Sequence, residues 1–251
     1  MSGHSKWSKI KRQKGVTDIK KGQLFTKLGR ELMVAVREGG ADPSHNFRLR
    51  LAIQKCRDNN MPMDNVNTAI KRASGEGSNT QLAEATFEGY GPSGTAILVQ
   101  ALTDNRNRTL QEIRGAFSRG GGNLAEAGGV AWLFESKGVI TLETTADNAE
   151  ELALLAIDAG AEDVKIEKDF TEVYTRPQML ESVRKALDGS KAKVASAELS
   201  MIPKTMVGLG EEEALRAVKL LDRLEELDDV QRVFSNVDFS DAVMEKIRVK
   251  A

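Results

Sequence analysis

The apolar periodicity of this chain changes character once, and where it changes limits the fold more than any other feature. Up to Ala73 the apolar residues recur at helical spacing; beyond Asn79 alternating, strand-like runs appear, separated by helical stretches. Between them Ser74-Gly75-Glu76-Gly77-Ser78-Asn79 reads as a linker by composition. The expected class is α+β, a helical head followed by sheet-containing domains. The linker would let the head move against the rest of the chain.

Within the head, Leu24, Phe25, Leu28, Leu32 and Val36 form one stripe from about Gln23, and Gly39-Gly40 stop that helix after Arg37. Asp42-Pro43 is expected to open a second helix, with Leu49, Ile53 and Cys56 inward. Its outer face carries Arg50 and Arg57, flanked by Arg48 and Lys55. Asn59-Asn60-Met61-Pro62 breaks it, and Asp64 is placed to cap a third helix with Val66, Ala69, Ile70 and Ala73 inward. Residues 5–22 are rich in lysine and contain Gly15 and Gly22, so they read as a flexible cationic arm.

Past the linker, Ala85–Tyr90 and Thr95–Thr103 read as a hairpin turned by Gly91-Pro92-Ser93-Gly94. A helix comes next, with Leu110, Ile113 and Phe117 inward, capped by Asn107 or Thr109 and ended by Gly120-Gly121-Gly122; Val130–Glu135 is the next strand. Residues 137–203 then run βαββαβ, the ferredoxin-like order. One helix, with Ala214, Val218, Leu221 and Leu224 inward, and one strand, Val230–Val237, are left over. Joining them to the first hairpin gives three domains. These are a head at 1–79, a discontinuous α/β domain at 80–136 plus 204–240, and the ferredoxin-like domain inserted at 137–203.

Charge is segregated in the same way. The whole chain carries a formal −1, yet residues 1–79 hold 16 Lys and Arg against 7 Asp and Glu, a net +9, which leaves −10 for the rest. Solubility needs no such segregation, so the head is expected to meet a polyanion that the body repels. In the arm Lys6, Lys9, Lys11, Arg12 and Lys14 surround Trp7, an aromatic suited to stacking on a base. Lys20, Lys21, Lys27, Arg48, Arg50, Arg57, Lys71 and Arg72 would track the phosphate backbone. Thr103-Asp104-Asn105-Arg106-Asn107-Arg108-Thr109 ends a strand and opens a helix. Turn and cap chemistry explains its Asp and Asn, while Arg106 and Arg108 with the helix N-terminus behind them could hold a phosphate.

Other chemistries find little support. Gly89-Tyr90-Gly91-Pro92-Ser93-Gly94 matches GxGxxG, but strand sequence resumes at once where a dinucleotide site needs a helix, and no P-loop pattern comes after any strand. His4, His45 and Cys56 are too few for a metal centre, so neither metal nor cofactor is expected. Glu211-Glu212-Glu213 suits the positive end of a helix rather than catalysis. A single cysteine fits a reducing compartment, and no apolar run reaches membrane-spanning length. Cytosol is the expectation, with a mitochondrial presequence the competing account of the basic start.

Gly3-His4-Ser5-Lys6-Trp7, Phe25-Thr26-Lys27-Leu28, Arg37-Glu38-Gly39-Gly40, Asn60-Met61-Pro62 with Asp64-Asn65, Gly89-Tyr90-Gly91-Pro92 and the Thr103–Thr109 stretch together resemble the YebC/PmpR family. The resemblance spans essentially the whole chain. It implies a three-domain α+β protein of bacterial cytoplasm, described as a probable transcriptional regulator that binds DNA. Other members act on ribosomes, including relief of stalling at proline-rich stretches, and a mitochondrial member activates translation of a cytochrome oxidase subunit. Met63 stands where the family motif often has a basic residue, so the resemblance does not carry over a phosphate contact at the start of the third helix, though Lys71 and Arg72 remain.

The expectation is thus a non-enzymatic, nucleic-acid-binding regulator with a transcriptional role and no membrane contact; the sequence leaves the oligomeric state open, with a monomer favoured. A ribosome-associated translation factor binding ribosomal RNA is the alternative, and a protein-interaction scaffold a third. No helix shows Asn, Gln or Arg poised over base edges in a dimeric half-site arrangement, so phosphate-dominated binding is expected.

Overall fold

The computed structural model describes residues 18–75, 82–145, 147–167, 170–190, 192–240 and 243. It divides into two compact units. The larger takes residues up to 134, apart from 58–60, and those from 203 onward; the smaller takes 135–202 with 58–60.

The larger unit begins with three helices: α1 (Asp18–Gly39), α2 (Phe47–Asp58) and α3 (Met63–Ala73). Leu28, Leu32, Ala35 and Val36 of α1 pack with Leu49, Ala52 and Cys56 of α2, Met61 and Val66, all buried. Each such leucine contributes about 1.5–3 kcal/mol by leaving water. One buried amide joins the first two helices. Asn46 Nδ2 donates to the carbonyls of Ala35 (2.6 Å) and Gly40 (2.8 Å) at the end of α1, and its Oδ1 accepts from Leu49 N–H in the first turn of α2 (3.0 Å). Gly39 is required beside it, because a Cβ there would lie 2.6 Å from the amide nitrogen.

Helix starts differ from expectation in three places. Residues 18–22, expected in the arm, are the first turn and more of α1, and Gly22 is exposed where its missing side chain costs no packing. The second helix begins at Phe47 rather than at Pro43, because Asp42 to His45 close a turn and Asn46 supplies the cap. Asp64 lies inside α3, whose N-cap is Pro62, so its carboxylate acts on the helix dipole instead of capping an N–H.

Strands β1 (Ala83–Tyr90) and β2 (Ala96–Thr103) form the antiparallel hairpin, turned through Pro92–Gly94 with Ser93 and Gly94 at positive φ. Gly89 lets strand and helix touch: a Cβ there would sit 2.5 Å from the Phe117 ring. The GxGxxG match is therefore a hairpin with a close packing contact. Next come α4 (Arg106–Arg119), capped by Asn105 rather than Asn107 or Thr109, and the two-residue strand β3 (Asn123–Leu124). The strand expected over 130–135 is instead a single 3-10 turn at Ala131–Leu133, from which a longer strand leaves at Phe134.

The chain returns to the larger unit through β8 (Val207–Gly208), α7 (Glu211–Glu225), β9 (Val230–Ser235) and β10 (Val237–Asp238). The sheet order is β3-β1-β2-β9, with β9 antiparallel to β2, and β8 pairs in parallel with β10. Ile97, Val99, Ile113, Phe117, Leu220, Leu221, Leu224 and Val233 make its core. Glu213 accepts from the N–H of Gly210 at the start of α7 (3.3 Å) and from Ser93 Oγ in the hairpin turn (2.6 Å).

The smaller unit runs β4 (Phe134–Glu143), α5 (Ala149–Asp158), β5 (Asp163–Ile166), β6 (Phe170–Thr175), α6 (Leu180–Asp188) and β7 (Lys193–Pro203). Its order, β5-β6-β4-β7, with β4/β6 and β5/β6 antiparallel, is the ferredoxin-like arrangement. Ile140, Leu142, Ala156, Val173, Leu180, Val183 and Leu187 are buried between sheet and helices.

Candidate nucleic-acid interface

Helix α1 turns one face to the three-helix core and another to the sheet-bearing part of its own unit. Lys27, Arg30 and Glu31, spaced i, i+3 and i+4, lie on that second face. Lys27 Nζ donates to the carbonyl of Glu225, the last residue of α7 (2.6 Å), where the helix dipole is negative. Arg30 Nη1 donates to the Asp228 carbonyl (2.6 Å) and to Asp229 Oδ1 (2.8 Å). Glu31 is held between Lys55 (2.8 Å) and Arg232 (3.7 Å). Burial pushes its carboxyl up, but Lys55 and Arg232 outweigh that and hold it below the usual carboxylate range. Arg48 of α2 pairs with both Glu38 and Glu84. The three helices are thus tied to the sheet by ion pairs, and the free movement expected of the head does not fit these contacts.

These ties redistribute the predicted interface. Lys6, Trp7, Lys9, Lys11, Arg12 and Lys14 lie outside the described residues, and Lys20 is described only as part of α1. Lys27 and Arg48 are engaged internally, while Arg50 donates to the Pro43 (2.6 Å) and Ser44 (3.0 Å) carbonyls and lies over the Phe47 ring. Lys21 is exposed, its ammonium 5.9 Å from the Phe25 ring centroid. Arg57, Lys71 and Arg72 are exposed, and so is Arg37, which helical spacing alone does not single out.

Helix α3 adds what sequence reasoning missed. Its Asn65, Asn67 and Thr68 are exposed beside Lys71 and Arg72. The spacings 65-68-72 and 64-67-71 set the amides one to two turns before the cations on adjoining stripes. Asn amides carry both a donor and an acceptor, the pair that a base edge also presents. The signal is present in the sequence: a polar run of Asn65, Asn67 and Thr68 opposite Val66 and Ile70.

The Thr103–Thr109 stretch is organised around a carboxylate that lies far away in sequence. Asp229 Oδ2 accepts from Arg108 Nη2 (2.7 Å), Thr109 Oγ1 (2.7 Å) and Thr103 Oγ1 (3.1 Å), while Oδ1 takes Arg30. Its backbone carbonyl accepts from Leu102 N–H (2.8 Å), beside the bulge at Gln100/Ala101. Burial alone would raise the Asp229 pKa; the hydrogen bonds from Arg108, Thr109 and Thr103 lower it below the ordinary value. Arg108 also pairs with Asp104 (2.8 Å), and these carboxylates raise its pKa further. The anion held at this helix start is therefore the protein's own. Arg106 is exposed, its guanidinium 5.9 Å from the Phe87 ring centroid.

His45 does not complete a Ser–His–Asp relay. Its Nδ1 is 2.8 Å from Ser44 Oγ and 2.9 Å from Asp42 Oδ2, both on one ring nitrogen, whereas a relay needs the two on opposite nitrogens. The hydrogen bonds from His45 and Ser44 lower Asp42 to about 2. Among the described residues no cluster of His, Cys, Asp or Glu could hold a metal ion, and no helix is long and apolar enough to cross a membrane.

Fold and surface define an α+β protein with three N-terminal helices, cationic on their free faces, ahead of two sheet-containing domains. Residues 5–76 match the model of the TACO1/YebC protein N-terminal domain, and 82–237 that of the TACO1/YebC second and third domain. The chain belongs to the TACO1/YebC family. It is 55% identical over 251 residues to a protein of Dehalococcoides mccartyi named "probable transcriptional regulatory protein", covering all of both chains. A Chloroflexus aurantiacus protein of the same name is 51% identical over 243 residues, 96% of each chain. Among solved structures, the conserved hypothetical protein Aq1575 from Aquifex aeolicus superposes with a TM-score of 0.82 at 42% identity, over 89% of this chain and 93% of that one.

Proposed function

We propose that this protein is a cytoplasmic transcriptional regulator that binds DNA through its N-terminal part, with no catalytic step. The observation that carries the reading is the exposed run on α3, where Asn65, Asn67 and Thr68 stand beside Lys71 and Arg72. Lys21, Arg37 and Arg57 widen the cationic surface, and by sequence Lys6, Lys9, Lys11, Arg12 and Lys14 with Trp7 supply further cations and an aromatic. The names of the relatives support a regulatory role.

If about five phosphates are neutralised, log K falls with log salt at a slope of about −4 to −5 on duplex DNA. The test is binding of the full chain to duplex DNA across a salt series, with Lys9, Lys11 and Arg12 reversed to Glu in a second protein. Loss of binding on reversal, with unchanged circular dichroism, supports the reading; a salt-independent affinity sinks it. Ribosomal RNA is the second reading, favoured by the same phosphate-led chemistry, and crosslinking in cells with sequencing of the bound nucleic acid separates the two.

A further inference from the structure

The most exposed aromatic of the described residues stands on one of the most heavily fastened loops. Trp132 is 64% exposed. Its indole Nε1–H donates to the Gly129 carbonyl (3.1 Å), which fixes the ring. The loop beneath is folded around Glu88, a carboxylate only 7% exposed, whose oxygens accept the N–H groups of Gly128, Val130 and Ala131, each at 2.7 Å. Tyr90 Oη donates to the Gly129 carbonyl (3.0 Å), and Ala125 N–H to the Glu88 carbonyl (2.8 Å). Gly128 supplies the positive φ of 86° that the turn needs. Burying a carboxylate to hold a loop that displays an indole to water makes sense if the indole has a ligand, because a fixed ring loses little entropy on binding.

The neighbour at this site is an ammonium. Lys204 Nζ donates to the Trp132 carbonyl (2.8 Å), its own N–H to that of Leu133 (2.8 Å), and its side chain is otherwise exposed. An ammonium has three donors, so two remain for an anion. A protein-docking hot spot sits inside an apolar ring that excludes water. Here the indole is fastened to the Gly129 carbonyl, and the backbone carbonyl of Trp132 itself holds the Lys204 ammonium. An exposed indole with a cation held on its own backbone carbonyl matches what single-stranded nucleic acid uses, the base on the ring and its phosphate on the ammonium.

We propose that Trp132 and Lys204 form a second nucleic-acid contact, taking one unpaired nucleobase by stacking and its adjoining phosphate by charge. The proposal rests on the nucleic-acid-binding reading above and extends it from duplex backbone to an unpaired segment.

The test uses the full chain carrying Trp7→Phe, so that Trp132 is the sole indole emitter. It is titrated with labelled twelve-nucleotide oligouridylate, oligodeoxythymidylate and a duplex of equal length, following label anisotropy and indole emission together. The expected result is quenching of Trp132 by the single strands and weaker quenching by the duplex. Trp132→Ala should weaken single-strand affinity about tenfold. Trp132→Phe, which keeps a ring but lacks the Nε1–H, should restore most of it; a merely loop-holding role would leave Phe as poor as Ala. Lys204→Gln should reduce the salt slope by about one. Quenching by only one of the single strands would assign the site to RNA or to DNA. Anisotropy that rises while Trp132 emission stays unchanged overturns this contact and leaves the wider reading standing; equal quenching by the duplex overturns the unpaired requirement. No anisotropy change with any oligonucleotide overturns both.

Discussion

Asp229 and Arg108 are 121 residues apart in the chain and 2.7 Å apart in the fold, Nη2 donating to Oδ2. Arg30 reaches the other oxygen of the same carboxylate from α1. One buried acid therefore fastens the start of α4, the end of β2 and the three-helix part together. Asp229→Ala should cost about 2–3 kcal/mol, below the ~3–5 of a wholly buried pair because Arg108 is 44% exposed and can hydrate when left alone. Urea unfolding gives the number. Fluorescence or exchange probes in α1 and α4 should both report the change, since both lose their partner.

The pH dependence comes from the same carboxylate and from Glu88. Both have pKa values below their ordinary ones, Asp229 through Arg108 and the threonine hydroxyls against the pull of burial, Glu88 through three backbone N–H groups against the same pull. An acid depressed in the folded state stabilises fully above its unfolded pKa of about 4, and that stability drains away as pH falls through the folded value. Wild-type urea midpoints should thus hold from pH 7 to about 5 and fall below 4. Asp229→Asn and Glu88→Gln should start lower and flatten the curve; an unaltered slope in both would remove these acids from the acid response.

Much of this architecture was legible and much of the site was not, for one physical reason. Periodicity reports which face a side chain occupies, so the three helices, the hairpin and the βαββαβ order could be read from spacing alone. Pairing across long sequence separations leaves no local mark. Asp229, within Leu227-Asp228-Asp229-Val230, looks like an acid at a helix end, and nothing nearby shows that Thr103, Arg108, Thr109 and Arg30 converge on it. A charge count likewise treats Lys27, Arg30, Arg48 and Lys55 as available cations, whereas each holds a carbonyl or a carboxylate. Trp132 was hidden by its neighbours Val130, Leu133 and Phe134, which read as strand although the chain makes a 3-10 turn there.

Asn46 is the residue whose loss should most disturb the three helices. Its amide serves the end of α1 with two donors and the start of α2 with one acceptor, and it is 4% exposed. Asn46→Ala removes all three bonds from a buried site and uncaps the start of α2, costing about 2–4 kcal/mol. Asn46→Asp keeps the acceptor but sets a carboxylate against two carbonyls and should be no better. Amide exchange should quicken around residues 35–49 before the sheet is affected.

Cys56 gives a direct reading of how those helices open. It is fully buried in the three-helix core, and burial, helped by Glu31, pushes its thiol up to about 12. At pH 8 almost none is thiolate, and the little there is cannot meet a reagent. Alkylation by iodoacetamide should be very slow in the native protein and accelerate with urea. If Lys27, Arg30, Glu31 and Arg48 fasten the helices to the sheet, the labelling rate should rise together with loss of the sheet signal. In Asp229→Ala it should rise at lower urea, because the Arg30 tie is gone. Rapid labelling of the native wild type would contradict the packed core of α1, α2 and α3, and labelling that precedes sheet loss in the wild type would show that these ties do not couple the two parts.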